Sequence, residues 1–159
     1  MPGGSGGALV AGWRERVTLP GWGVSRVRAK LDTGARTSAI HVGHLEPIGR
    51  GRVRFEVVVR EFPTRKTVWV EADVVREAVV KASTGDPRVR PICRAWMRLG
   101  PVEREIELGL VARDGMLCRM LVGRSALEGV VVDPSRRYVL TPPRGRGGAG
   151  VSGSGEGSR

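Results

Sequence analysis

The sequence predicts a single all-β domain, and three observations lead there. At 159 residues the chain has room for one hydrophobic core. Aromatic residues make up only 4% against 40% hydrophobic overall, so Val, Leu, Ile and Ala must fill that core, a palette that favours strands. Apolar and polar residues alternate in short runs separated by Gly and Pro, which is the period of half-buried strands.

The runs fall in order at Trp13 to Thr18, Val24 to Leu31, Arg52 to Arg60, Thr67 to Asp73, Glu77 to Ala82, Pro91 to Leu99, Val102 to Val111 and Leu117 to Val122. In the sixth, Ile92, Arg94, Trp96 and Arg98 alternate with Cys93, Ala95, Met97 and Leu99, so one face is small or apolar and the other largely Arg. Gly100-Pro101 then predicts a hairpin turn into the alternating run Glu103 to Leu108. One short C-terminal helix is expected from Gly123 to Glu128, ended by Gly129. Asp133-Pro134 reads as a turn before a last strand at Arg137 to Leu140. Residues 1–12 and 142–159 are Gly-rich and cannot bury enough apolar surface to offset the entropy of ordering. Both are predicted to be disordered tails around a domain at 13–141.

The 27 Lys and Arg residues against 16 Asp and Glu leave a formal charge of +11, which attracts anionic partners, whether nucleic acid or acidic polypeptide. An Arg-rich proteome would leave the same signature. The few aromatics lack the paired arrangement of RNA-recognition sheets, which speaks against nucleic acid. Cys93 and Cys118 lie in apolar runs without CxxC spacing, so buried reduced thiols are expected. No run approaches the roughly 20 apolar residues that span a bilayer. A soluble, cytoplasmic protein without membrane contact is the expectation.

The chemistry is concentrated after the strand Val27 to Leu31, in Asp32-Thr33-Gly34-Ala35 followed by Arg36-Thr37-Ser38-Ala39-Ile40. A carboxylate at the end of a hydrophobic strand, in a tight turn with Gly and a small residue, is held rigidly while a substrate backbone can approach. An Asx-type turn in which Asp32 only caps its own backbone would read the same way. The second element, Met120-Leu121-Val122-Gly123-Arg124-Ser125-Ala126-Leu127, sets two apolar strand residues, a Gly and a short helix in line. Between them Ser83-Thr84-Gly85-Asp86-Pro87 forms a polar turn between two β-like arms, which reads either as a flap closing over substrate or as a plain surface hairpin.

These stretches, with Trp13-Arg14-Glu15, Leu19-Pro20, Ala29-Lys30-Leu31, His41, Arg90-Pro91 and Met116 to Arg119, resemble the bacterial retropepsin-like aspartic peptidases associated with RimK-type ATP-grasp glutamate ligases. The resemblance covers nearly all of residues 12–141. It implies a closed β-barrel of the acid-protease fold that works as a homodimer, because one Asp cannot be general base and general acid in the same step. Two Asp32 carboxylates would share a proton and activate one water.

By the same resemblance Thr33 would hydrogen-bond across the dimer, Gly34 would offer backbone to the substrate, and the pattern around Gly123 and Arg124 would buttress the loop from behind. Many viral retropepsins carry Asp two positions after the Gly, where this chain has Arg36, so Arg124 needs another acid, Asp114 or Asp133. Arg36, beside Ala35, with Arg28, Lys30 and Arg90, could instead bind substrate carboxylates through forked hydrogen bonds. A structural salt bridge at Arg36 is an equal alternative. The family's link to glutamate ligation implies acidic or glutamate-tailed polypeptide substrates and a ligase as a partner.

Part of the family is labelled an ATP-dependent zinc protease. His41 and His44 are the only histidines and no Gly-rich phosphate loop is present, so neither metal nor cofactor is expected. The rival reading keeps the barrel and drops the catalysis, leaving a basic module that binds RNA or an acidic protein.

Overall fold

The alternating runs become ten strands. The computed structural model describes residues 7–81, 85, 87–112 and 118–143. In chain order they are β1 (Leu9–Leu19), β2 (Val24–Asp32), β3 (Ser38–Gly49), β4 (Arg52–Arg60), β5 (Lys66–Asp73), β6 (Arg76–Lys81), β7 (Pro87–Leu99), β8 (Val102–Val111), β9 (Met120–Gly123) and β10 (Val130–Arg137). Neighbours run β9-β2-β1-β7-β8-β3, and pairing of β9 with β3 closes these six into a barrel. The fold class is therefore the closed all-β barrel that the resemblance implies.

Inside, the period-two pattern delivers Val17, Leu19, Val27, Ala29, Ile40, Met97, Leu99, Leu108, Met120 and Val122 to one buried core. β3 is long enough to serve two sheets. Its first residues pair with β8 and β9 in the barrel, and from Val42 onward it pairs with β4, which pairs in turn with β5. Phe55, fully buried, meets the Trp22 ring edge-on at 5.1 Å and joins this outlying sheet to the barrel.

Several boundaries depart from expectation. Leu9 to Gly12, assigned to the tail, are strand, because β10 supplies a parallel partner that pairs Val130 with Leu9 through Asp133 with Gly12. β3 is absent from the expected strands, and it carries Gly43, Pro47 and Gly49, residue types that favour turns. Register shifts between Val42 and His44, and between Pro47 and Gly49, absorb them as bulges. Asp133-Pro134 likewise sits within β10 rather than at a turn, and the strand expected at Arg137 to Leu140 lies one strand too late. The expected helix shrinks to a single 3-10 turn, Arg124–Ala126. The Gly100-Pro101 hairpin forms, with Gly100 at φ 58 and Leu99 paired to Val102.

Glu15 stands on the inward side of β1 and is fully buried. Its Oε2 accepts the N–H groups of Gly12 (2.7 Å), Val139 (2.9 Å) and Leu140 (3.1 Å), and its Oε1 accepts the N–H (3.0 Å) and hydroxyl (2.6 Å) of Thr141. Five donors compensate the loss of water around this carboxylate and fasten the segment after β10 to the barrel.

Candidate active site

Asp32 is the last residue of β2 and is half-buried. Its Oδ1 accepts the Gly34 N–H at 3.0 Å, while the Ala35 N–H closes the turn on the Asp32 carbonyl at 3.2 Å. The Asx turn expected as an alternative is thus present. It does not exhaust the carboxylate, because one N–H contact occupies one of roughly four lone-pair directions. None of the ion pairs among the described residues includes Asp32. Thr33 and Gly34 are exposed, so the top of the loop is open to a partner or a substrate.

The turn is held from behind by the second sequence element. β9 inserts between β2 and β3, parallel to β2, and aligns Gly123 with Asp32. Gly123 donates its N–H to the buried Ser38 hydroxyl at 3.0 Å, Arg124 N–H binds the Ala35 carbonyl at 2.8 Å, and Ser125 N–H binds the Arg36 carbonyl at 3.1 Å. A Cβ at Gly123 would lie 2.6 Å from the Thr37 carbonyl oxygen and 2.9 Å from that of Ala35, which explains the need for glycine.

The expectation that Arg124 pairs with Asp133 is corrected. Arg124 Nη1 donates to the Gly34 carbonyl at 3.3 Å, and Asp133 is taken by the N–H and hydroxyl of Ser135 with Arg136 at 3.9 Å. Those Ser135 contacts and the Arg136 charge hold the Asp133 carboxyl below its ordinary range. Asp114 lies outside the described residues. Ser38 is the supporting residue the sequence reading missed. Its only signal is its parity with Ile40, which places it on the buried side of β3.

The remaining expected residues divide into two places. Arg36, exposed, lines a cavity of about 240 Å³ with Thr37, Arg76, Ile106, Glu107, Ser125 and Ala126. There Arg76 is already bound by Glu107 at 2.9 Å, whereas none of the ion pairs among the described residues includes Arg36. A larger cavity of about 420 Å³ between the β3–β4 turn and the root of β6 contains no residue of the Asp32 loop in its lining. β6 and β7 form the two arms expected of a flap, with Val79 opposite Val89 and both exposed. Gly85, exposed at φ 91, lies between those arms, and Ser83 and Thr84 lie outside the described residues.

A strand-borne aspartate in an open turn, braced by a Gly-containing strand inserted beside it, is the arrangement to compare with known proteins. A family model described as retropepsin-like aspartic endopeptidase RimB matches residues 10–143. The chain belongs to this RimB-like family. Two relatives named probable alpha-L-glutamate ligase, from Shewanella pealeana and Parasynechococcus marenigrum, are each 34% identical over 136 residues, 83% of this chain. The chain spans only 30% and 29% of their lengths. A solved structure of a Legionella pneumophila protein of unknown function aligns with TM-score 0.68 at 26% identity, covering 83% of this chain and 98% of that one.

His41 is buried, His44 is exposed beside Glu46, and among the described residues no three metal-type ligands converge.

Proposed function

We propose that this chain is an aspartic endopeptidase whose reacting centre is completed by a second copy, each copy contributing one Asp32, and that it cleaves acidic or glutamate-tailed polypeptides. The observation that carries the reading is the braced Asp32 turn, with acceptor capacity left on the carboxylate and Thr33 and Gly34 open to solvent. A second carboxylate brought against the first by symmetry would share one proton with it. The ionised member then takes a proton from a water that adds to the scissile carbonyl carbon, the protonated member hydrogen-bonds the carbonyl oxygen, and the proton taken from water passes to the leaving nitrogen as the C–N bond breaks. Thr33 would bond across the two loops and Gly34 would present its backbone to substrate. The hairpin arms, with Ser83, Thr84 and Gly85 between them, would cover the site, and Arg36 would meet an acidic side chain.

Support for the substrate comes from charge and from the relatives. A formal charge of +11 draws acidic chains in, and proteins named glutamate ligases contain a stretch similar to this one within a chain more than three times as long as the matched part. A working association with such a ligase follows naturally. The test is to incubate the purified protein with glutamate-extended peptides beside Asp32→Asn, and to measure mass in solution by sedimentation. Cleavage by the parent only, from a dimer, is expected. Intact peptides with both forms, or a monomer under all cleaving conditions, defeats the reading and leaves the non-catalytic binding module.

A further inference from the structure

From Val27 onward β2 alternates cleanly: Val27, Ala29 and Leu31 are buried, Arg28 and Lys30 are exposed, and Asp32 is half-buried. By that parity Arg28, Lys30 and Asp32 share the outer face of the barrel wall. Lys30 is two residues from Asp32, about 7 Å along the strand. On the neighbouring β1, Arg14 pairs directly with Lys30 and Arg16 with Arg28, and on the far side of β1 Arg137 of β10 pairs with Arg14. Two rows of cations therefore cross this wall beside the reacting carboxylate.

Such an arrangement opposes folding. Like charges directly opposite across strands, with backbones about 5 Å apart, repel. Among the described residues none of the ion pairs includes Arg14, Arg16, Arg28 or Lys30. Arg14 and Arg16 rest on aromatic rings, Trp13 at 4.7 Å and Tyr138 at 4.9 Å, which keeps their guanidinium groups in place without neutralising them. Glu15, between Arg14 and Arg16, is buried on the opposite face and saturated by five donors, and Asp133, opposite Gly12, is engaged by Ser135 and Arg136. Elsewhere on the same barrel Arg76 is matched by Glu107 and Arg98 by Glu103, so the unmatched rows are local rather than a general consequence of composition.

We infer that Lys30 and Arg14 are specificity-determining residues that hold a substrate carboxylate next to the scissile bond, with Arg28, Arg16 and Arg137 continuing the track for further acidic residues. This rests on the peptidase reading for its purpose, but the binding it predicts does not. The spacing suits an extended acidic peptide, whose same-side carboxylates recur about every 7 Å, as the cations do along β2. Charge-assisted and partly forked contacts would favour carboxylates over neutral amides.

The test uses the full chain carrying Asp32→Asn, so that substrate survives, and a fluorescent ten-residue oligoglutamate as the probe. Replacing Lys30 and Arg14 together by Gln is expected to weaken binding at least tenfold at low salt and to leave the melting temperature equal or higher, because the opposed charges are gone. Arg52→Gln with Arg98→Gln removes the same net charge from paired cations elsewhere, and should change affinity less than twofold. Equal losses in the two double variants, unchanged affinity in the first, or tighter binding of single-stranded RNA of equal length would each overturn the inference. Oligoglutamate binding that depends on Lys30 and Arg14, in a protein that cleaves nothing, would sustain it while defeating the peptidase reading.

Discussion

Two carboxylates, Glu15 and Asp32, sit on adjacent strands of one barrel, and their surroundings are opposite. Glu15 is fully buried and accepts five hydrogen bonds, four from backbone N–H groups and one from a hydroxyl. Asp32 is half-buried and accepts one, from Gly34. The first is saturated and has nothing left to offer a substrate. The second is fixed in place by its backbone and by β9 while its acceptor capacity stays open, the condition a proton-transferring group needs. The count of satisfied acceptor sites, rather than burial or acidity, is what distinguishes the two carboxylates.

That contrast can be broken at either end. Asp32→Asn should remove about a thousandfold or more of peptide turnover, read by peptide mass spectrometry, with stability within about 1 kcal/mol of the parent. A comparable loss of stability would place Asp32 in the structural class. Glu15→Ala should do the converse, costing about 3 kcal/mol or more in urea unfolding, since several buried N–H donors lose their acceptor together. Gly123→Ala tests the brace: with carbonyl oxygens 2.6 and 2.9 Å from the new Cβ, the loop must move, at about 2 kcal/mol and with reduced turnover.

The smallest effect appears only in alkali. Burial, and secondarily the Asp73 charge, push the Cys93 thiol up to about 11. An unfolded chain releases that proton above about pH 8.5 while the native one keeps it, so stability is complete below that pH and falls through the window up to the native value. The slope should flatten in Cys93→Ala, measured as unfolding free energy against pH. Native Cys93 should also resist alkylating reagents at pH 8.

The sequence made the barrel and the reacting turn legible because both rest on local signals. Strand parity predicted the inward face of β7 and the alternation of β8, and Asp32-Thr33-Gly34 with Met120 to Leu127 marked the two halves of one loop system. What stayed hidden depends on distant partners. β3 carries Gly43, Pro47 and Gly49, turn residues that form strand only because β4 accepts bulges opposite them. The burial of Glu15 has no local sign beyond its parity with Ala11 and Val17, which are buried. Four of its five donors lie about 125 residues away, beyond any pattern window. Of the two acids sought for Arg124, Asp133 is engaged elsewhere, Asp114 lies outside the described residues, and a backbone carbonyl of the loop itself accepts from the guanidinium.

The insertion of β9 between β2 and β3 has a temporal consequence. Asp32 is translated before the strand and 3-10 turn that brace it, which come roughly ninety residues later. Contacts of that sequence separation form late, after long loop closure. A chain emerging from the ribosome therefore carries Asp32 unbraced until β9 has followed it, and under the proposed peptidase reading the acid would stay unaimed over that interval.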